Sequence, residues 1–480
     1  MIFATKSFLI SLPVVLLLYH GLGRRGDRYR VLLLASWLFY AVVPPHYWPV
    51  LFALTLIDYA AGLRIGAASD DRTRRRWLAA SVVANLGLLV GFKYAPFAYE
   101  NTATLAGLFG VPLSPTTLSV ALPLGLSFHT FQGVSYTVDV YRRRLAPVTS
   151  FTDYALFVAF FPQLAAGPIV RAVEFLPQMA TPPSVTRAQI ADGLALFAGG
   201  LVKKLLIADP LDSLLVGPVF ADPFAFGDAM HRWAVVGWAV QIYCDFAGYT
   251  DMARGVSKWF GFELPENFDL PYLATSIADF WRRWHLSLSA WLRDYVYYPM
   301  GGSRGGELGT AFNLVTLFVL CGLWHGASWN WLAYGLLNGV LMVLYRAYDR
   351  EVSGRPTWDA LRGTAGWALF AWAATACQFL AGLVLIRMHD WPGGLRLLQS
   401  LLGQNFEPTS VVTSPAVPSL AVAMIACGLA GHGVGLLRRA GLPVPTRWPE
   451  IVRMVAGAAG FATVIVFAPG VTKTFLYVQF

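Results

Sequence analysis

Long apolar segments alternate with short polar ones along the whole chain. This pattern predicts an all-α protein that crosses a membrane many times, with about eleven transmembrane helices and some interfacial or re-entrant ones. No internal repeat or soluble segment interrupts it, so we predict a single membrane domain over residues 1–480. The apolar segments lie near residues 7–20, 31–43, 47–63, 78–92, 118–138, 151–166, 188–207, 232–250, 312–345, 364–386, 417–437 and 451–469.

The longest of these segments contains a run, Asn313 to Tyr345, without any Asp, Glu, Lys or Arg. A straight helix over this run would be about 50 Å long, whereas a hydrocarbon core is about 30 Å thick. The run must therefore tilt strongly or break. Gly322 and Gly326 flank the Trp324-His325 pair, and glycine is typical of places where a membrane helix is interrupted or approached by another backbone. We predict a break at this point.

His325 is a titratable side chain within this apolar run. Such residues are costly to bury in a membrane, and they often have a function. The structural alternative is a neutral histidine that is hydrogen-bonded to a neighbouring carbonyl group. The run alone does not decide between the two.

The segment from Ile277 to Tyr298 mixes charged side chains with Trp and Tyr, and its periodicity predicts one amphipathic helix. The spacing of Arg282, His285, Ser289 and Arg293 would place these four side chains on one face. Such a helix can line a cavity, or it can lie at the membrane interface as an anchor without any further function.

Polar residues also enter other apolar segments. An acidic residue at Asp245 should face the protein interior and find a partner, for which the many Arg side chains are candidates. Lys203-Lys204 interrupts another segment, and we expect both lysines to extend to the headgroup region. The prolines and the glycine between Phe160 and Pro168 predict a kink or a re-entrant loop.

Composition supports the membrane assignment, because 56% of the residues are hydrophobic and 13% are charged, whereas soluble domains have about 25% charged residues. The net charge of +9 comes from Arg clusters between apolar segments, which is typical of cytoplasmic loops and argues against nucleic acid as a partner. The clusters predict an N-terminus on the outer side. The four cysteines form no C-x-x-C pair, and we expect neither a metal site nor disulfides.

Several motifs together resemble the membrane-bound O-acyltransferase (MBOAT) family, in particular its bacterial branch that modifies alginate. The two strongest motifs each contain a histidine, His285 in one and His325 in the other. The matching residues are Phe280 to Ser289, Trp291 to Tyr295, Gly322 to Trp329, Leu122 to Gly125, Phe161 to Gln163, Ala166 to Ile169, Lys203-Lys204, Gln241 to Tyr243, Asp245, Gly248-Tyr249, Glu266 to Phe268 and Tyr477 to Phe480.

The resemblance implies a multi-pass protein of the bacterial inner membrane, with helices around a tunnel that joins a cytoplasmic donor entrance to an outer acceptor entrance. It implies a catalytic role for His325, with His285 nearby. The implied donor is an acyl thioester, acetyl-CoA for this branch, with no bound cofactor. The implied partners are membrane lipids, the polysaccharide export machinery and a periplasmic acetyltransferase that modifies the polysaccharide. The candidate substrate-binding residues are Arg282, Arg293, Ser289, Trp324, Asp245 and Tyr243.

Acyl transfer to a hydroxyl group needs a base for the attacking oxygen, and a buried neutral imidazole can act as one. Cys321 precedes His325 by one helical turn, so a covalent acyl-cysteine step is an alternative. Two other classes remain open, a transporter of polysaccharide or lipid intermediates and a non-catalytic scaffold of an export complex. Within the enzyme class, the acceptor can be alginate, peptidoglycan, cellulose or another exopolysaccharide, and D-alanyl transfer to teichoic acid belongs to a related branch.

Overall fold

The computed structural model describes residues 3, 5–42, 47–111, 113, 123–164, 166–181, 184–405, 419–443 and 448–467. Among these residues the regular structure is helical, and the β pairing is an isolated antiparallel bridge between Phe268 and Trp284. The prediction of an all-α protein is therefore confirmed. The start of the predicted segment 118–138, with Leu122, and the motif from Tyr477 to Phe480 lie outside the described residues.

The described chain forms two compact units. The first unit contains residues 2–190 and 256–265. Its helices are α1 (Lys6–Gly21), α2 (Arg25–Val42), α3 (Trp48–Ala67), α4 (Asp71–Leu108), α5 (Leu126–Tyr141), α6 (Phe151–Ala159), α7 (Phe161–Leu164), α8 (Ala172–Phe175) and the 3-10 helix Leu176–Met179.

The interior of this first unit is unusually polar. Helix α5 is buried over almost its whole length, although it carries His, Gln, Ser, Thr and Asp side chains. Beside it, the buried carboxylate of Asp58 accepts hydrogen bonds from Ser81 Oγ at 2.6 Å and Asn85 Nδ2 at 2.8 Å. The predicted kink is present as well, because α6 ends at Ala159 and α7 begins at Phe161.

The second unit contains residues 191–255 and 266–480. Its helices begin with α9 (Arg187–Leu201), whose first residues belong to the first unit, and continue through the π-helix Val202–Ala208, α10 (Asp209–Leu211), the π-helix Asp212–Val216, α11 (Gly217–Ala221), the 3-10 helix Pro223–Ala225 and α12 (Asp228–Trp259). They end with the 3-10 helix Pro271–Leu273, α13 (Ile277–Trp281), α14 (Leu286–Leu292), the π-helix Arg293–Tyr297, α15 (Gly306–His325), α16 (Trp329–Val352), α17 (Pro356–Arg362), α18 (Ala365–Arg387), α19 (Trp391–Leu401), α20 (Ser419–Arg439) and α21 (Glu450–Phe467).

In the described part of the chain, six helices are long and apolar enough to cross a membrane: α3, α4, α15, α18, α20 and α21. The break predicted in the uncharged run is confirmed. Helix α15 ends at His325, and α16 begins at Trp329 and packs back along α15. The run therefore forms a helical hairpin, and His325 lies at its turn.

The prediction of one amphipathic helix over Ile277 to Tyr298 is wrong. Helix α13 ends at Trp281, α14 begins at Leu286, and a π-helix follows from Arg293. Arg282 and Arg293 are exposed, whereas His285 is buried. These side chains therefore do not share one helical face, because the backbone turns between them.

The prediction for Lys204 is also wrong. Its ammonium group is buried between two carboxylates, Asp209 at 2.8 Å and Asp245 at 2.5 Å. Asp245 thus faces the interior and has a partner, as expected, but this partner is a lysine. Lys203 pairs with Asp251. A buried ammonium with two carboxylates avoids the cost of an unpaired buried charge, which explains why Lys204 does not extend to the headgroups.

Candidate active site

His325 is the last residue of α15, and a backbone carbonyl fixes the orientation of its ring. The Nδ1 atom lies 2.6 Å from the carbonyl oxygen of Cys321, one turn earlier in the helix. Since a carbonyl can only accept, Nδ1–H is the donor, and the neutral ring has its lone pair at Nε2. The hydrogen bond to a neighbouring carbonyl group, which a purely structural histidine would make, is therefore present. The same bond prepares the ring to act as a base.

Two glycines allow Trp331 at the start of α16 to pack closely on the ring of His325. The indole of Trp331 stacks on it, with ring centroids 5.0 Å apart and an angle of 13° between the planes. A Cβ atom on Gly326 would overlap this indole, and a Cβ on Gly322 would overlap the Trp331 carbonyl oxygen. Close packing against α16, rather than an unusual backbone angle, requires glycine at both positions.

His285 lies between α13 and α14 in the left-handed region, with φ 47° and ψ 54°. This conformation is uncommon for residues other than glycine and costs about 1–2 kcal/mol. Asn267 holds the segment in place. Its carbonyl accepts from Leu286 N at 3.1 Å, and its side-chain oxygen accepts from Ser287 N at 3.2 Å and Ser287 Oγ at 2.6 Å. The strain at His285 is therefore held by buried hydrogen bonds from a distant part of the chain.

The two histidines lie next to each other in an aromatic environment. Their ring centroids are 6.3 Å apart. Trp324 lies against both rings, at 5.0 Å from His325 and 6.2 Å from His285. The edge of Phe246 contacts His285 at 4.7 Å. Two imidazoles among aromatic rings can move a proton and polarise a carbonyl group, which is the chemistry of acyl transfer.

The other predicted substrate-binding residues are placed as follows. Arg282 Nε donates to the Ala278 carbonyl, and Arg293 pairs with Asp294. Ser289 is half-buried on α14. Tyr243 is half-buried on α12 and packs on Phe268. Of the six predicted residues, Trp324 thus contacts both histidine rings, whereas Asp245 and the two arginines bind other partners.

Sequence reasoning did not single out the residues that hold the two rings. Asn267 stood in a supporting motif, but nothing in its local pattern indicated that it holds a residue well ahead of it in the chain. Trp331 follows the glycine break inside the uncharged run, and nothing in the local pattern indicates its contact with the His325 ring. Phe246 was not distinguished from other core aromatics. In the described residues, no group of three or more His, Cys, Asp or Glu side chains is arranged to hold a metal ion.

Comparisons with known proteins identify the family of this chain. Residues 108–384 match the sequence profile of the membrane-bound O-acyltransferase family. The chain is 41% identical to the probable alginate O-acetylase AlgI of Pseudomonas aeruginosa, over 84% of this chain and 75% of the relative. It is 38% identical to the corresponding protein of Azotobacter vinelandii, over 80% and 79%. It is 35% identical to the peptidoglycan O-acetyltransferase of Helicobacter pylori, over 78% and 73%. The chain is therefore a member of the MBOAT family, and it is a multi-pass membrane O-acyltransferase.

Proposed function

We propose that this protein transfers an acetyl group from a cytoplasmic thioester, with acetyl-CoA as donor, across the bacterial inner membrane. The acetyl group serves the O-acetylation of an exported polysaccharide, which is alginate-like or another glycan of the cell envelope. The acceptor is the glycan itself or a periplasmic acetyltransferase that passes the group on. The names of the similar proteins support this class of acceptor, since they refer to alginate and peptidoglycan.

His325 acts as the general base in this proposal. The observation that carries it is the hydrogen bond from Nδ1–H to the Cys321 carbonyl, which leaves the lone pair of the neutral ring at Nε2. Nε2 takes the proton of the attacking hydroxyl group, the oxygen attacks the thioester carbonyl carbon, and the thiolate leaves after the tetrahedral intermediate collapses. General-base catalysis of this kind typically contributes a factor of about 10²–10⁴ in rate.

His285 orients or polarises a reactant beside this base. Its strained backbone is held by Asn267, so its ring has a fixed position relative to His325. Preorganised polar groups contribute most where water is excluded, as among the rings of Trp324 and Phe246. The exposed guanidinium group of Arg282 or of Arg293 contacts the phosphates of the donor from the cytoplasmic side.

The wider architecture is part of the proposal. About eleven transmembrane helices surround a tunnel that joins the donor and acceptor entrances. The ends of α16 and α20, which carry Arg350 and Arg438–Arg439, lie on the cytoplasmic side under the positive-inside rule. The N-terminus is periplasmic. The export machinery and a periplasmic polysaccharide-modifying protein act after this transfer step.

Direct attack by the acceptor is favoured over an acyl-cysteine intermediate. The Cys321 thiol lies 3.8 Å from His325 Nδ1, but this nitrogen already donates its hydrogen to the Cys321 carbonyl. The ring therefore presents a donor, not a base, to the thiol. Without a base, a buried thiol is a poor nucleophile.

The experiment compares H325A with C321A in cells that lack their own copy of the protein. Membrane insertion is checked by detergent extraction and size-exclusion chromatography, and the O-acetyl content of the exported polysaccharide is measured. We expect H325A to lower acetylation by a factor of about 10² or more, and C321A to stay within about twofold of the wild type.

Normal acetylation by correctly inserted H325A would overturn the general-base role and would favour the scaffold class. Loss of acetylation in C321A, with insertion intact, would instead favour the acyl-cysteine route. Thioester consumption by the purified wild-type protein separates the enzyme from a transporter, since a transporter does not cleave acetyl-CoA.

A further inference from the structure

A third histidine is connected to the candidate active-site pair through packed aromatic side chains, and the proposed reaction does not use it. His432 on α20 is 4% exposed. In the described part of the chain, neither of its ring nitrogens has a hydrogen-bond partner. Leaving a buried polar group without a partner costs about 1–3 kcal/mol, so such a group calls for an explanation.

Another buried histidine of the same unit shows what a structural role looks like. His231 on α12 is fully buried, and both of its ring nitrogens are satisfied. One lies 2.8 Å from Ser400 Oγ and the other 2.8 Å from the Pro223 carbonyl oxygen. The packing of His231 thus provides a donor and an acceptor, whereas the packing of His432 provides aromatic faces.

Two tyrosine rings pack against the imidazole of His432. The ring of Tyr272 stacks on it at 5.1 Å with an angle of 20°, and the ring of Tyr243 approaches edge-on at 5.0 Å. The Tyr272 hydroxyl donates to the Ala239 carbonyl, so it is committed elsewhere. The two tyrosines fix the plane of the imidazole and leave its nitrogens to hydrogen-bond a ligand.

A continuous row of aromatic contacts connects His432 with the active site. Tyr243 contacts Phe268 at 5.5 Å, Phe268 contacts Phe246 at 5.1 Å, and Phe246 contacts His285 at 4.7 Å. We call Tyr243, Phe268 and Phe246 the aromatic row. All of these residues belong to the second unit. A long, narrow ligand lying along the aromatic row would reach from His432 to the reacting histidines.

The chemistry at His432 fits a neutral ligand group. A neutral imidazole offers one donor and one acceptor, which match the C=O and N–H of a secondary amide. A charged group close enough to act on the ring, Lys203, is already paired with Asp251. An anion such as a phosphate would therefore compete with an existing carboxylate, whereas a neutral amide would not.

We propose that His432 and the aromatic row bind the pantetheine arm of the acyl donor, with His432 hydrogen-bonded to a secondary amide of the arm. This inference rests on the proposed function, in which a thioester is the donor. The arm of such a donor is long, narrow and neutral between its phosphate and its sulfur, and it contains two secondary amides. His432 is thus a donor-binding residue that places the thioester next to His285.

The test uses the purified full-length protein and three donors: acetyl-CoA, acetyl-pantetheine and S-ethyl thioacetate, which has no amide. Thioester consumption is followed for the wild type and for H432F, which keeps an aromatic ring against Tyr272. We expect H432F to raise KM about tenfold for the two amide-containing donors, as for the loss of one hydrogen bond. It should leave kcat/KM for S-ethyl thioacetate unchanged. H432N, which restores a donor and an acceptor, should recover part of the loss.

H231F is the matched control, because it removes two satisfied hydrogen bonds of a structural histidine. It should lower the melting temperature and affect all three donors equally. The wild type supplies a measurement that does not depend on the folding of a variant. An analogue of acetyl-pantetheine with CH2–CH2 in place of each amide can neither donate nor accept there, and its KM should be about tenfold higher.

An equal effect of H432F on all donors, or none, would overturn the inference. A wild-type protein that does not distinguish the amide-free analogue from acetyl-pantetheine would overturn it as well. A defect confined to the KM for the acceptor would assign His432 to the acceptor instead. These outcomes leave the proposed function standing. A wild-type protein that consumes none of the three thioesters removes the proposed function and the inference together.

Discussion

The two candidate active-site histidines both lie at breaks between helices, but the two breaks are built differently. At His325 the chain turns next to Gly326, and the hairpin of α15 and α16 brings Trp331 onto the ring. At His285 the chain turns without any glycine, in a left-handed conformation held by Asn267. One break is encoded locally, and the other depends on a partner distant in sequence.

The difference shows how a membrane protein can position a reactive side chain in two ways. A glycine break removes side-chain bulk, so that a second helix can approach and pack against the ring. A strained residue is held by surrounding hydrogen bonds, and the strain fixes the ring in a rare orientation. The pair of histidines combines one site defined by packing with one defined by hydrogen bonds.

Among the variants that test the difference between the two breaks, N267A is expected to have the largest effect on stability and activity. The substitution removes the acceptor of Ser287 N and Ser287 Oγ inside the protein. Because Ser287 N and Ser287 Oγ both lose this buried acceptor, we expect a loss of about 3 kcal/mol in stability, together with loss of acyl transfer as His285 leaves its position. Thermal unfolding in detergent and thioester turnover measure the two effects.

N101A is the control for this change. Asn101 hydrogen-bonds a carbonyl of its own helix, α4, and its substitution should change stability by less than about 0.5 kcal/mol. A near-wild-type N267A protein with full activity would mean that His285 keeps its conformation without Asn267, and the contrast between the two breaks would disappear.

The sequence predicted one of these breaks and missed the other for physical reasons. Gly322 and Gly326 carry a local signal, and the excess length of the uncharged run required a turn or a strong tilt. The segment around His285 has ordinary helical periodicity, and hydrogen bonds from Asn267 and Asp269, which lie outside the segment, override it. The helical class and the proximity of the two histidines agree with the expectations from the sequence. The expectation for Lys204 was wrong, because its carboxylate partners were not visible from its local pattern.

A smaller effect is expected from G326A, which probes the break defined by packing. The added Cβ would overlap the Trp331 indole, and the indole must move off the His325 ring. We expect a stability loss of about 2 kcal/mol, as for other overpacked sites, and turnover reduced about tenfold.

G309A, on the same helix, is the matched control, since nothing lies within 4 Å of a Cβ there. Alanine is the better helix former, so G309A should be up to about 1 kcal/mol more stable than the wild type. If G326A behaved like G309A, close packing of Trp331 would not be what requires glycine at the turn.

The smallest effect is expected from a pair of variants, H285G and H285A, which separate backbone strain from side-chain chemistry at this position. Both H285G and H285A lack the imidazole, so both should lose activity to the same extent. Glycine adopts φ 47° without strain, and H285G should therefore be about 1 kcal/mol more stable than H285A. At Ser289, inside helix α14, the order should reverse, with S289A about 1 kcal/mol more stable than S289G. Melting temperatures of the four variants give both differences. If the stability difference between the Gly and Ala variants has opposite signs at the two positions, His285 is held in a strained backbone conformation. Equal signs would mean that this part of the chain is helical in solution. His285 would then be positioned by packing, in the same way as His325.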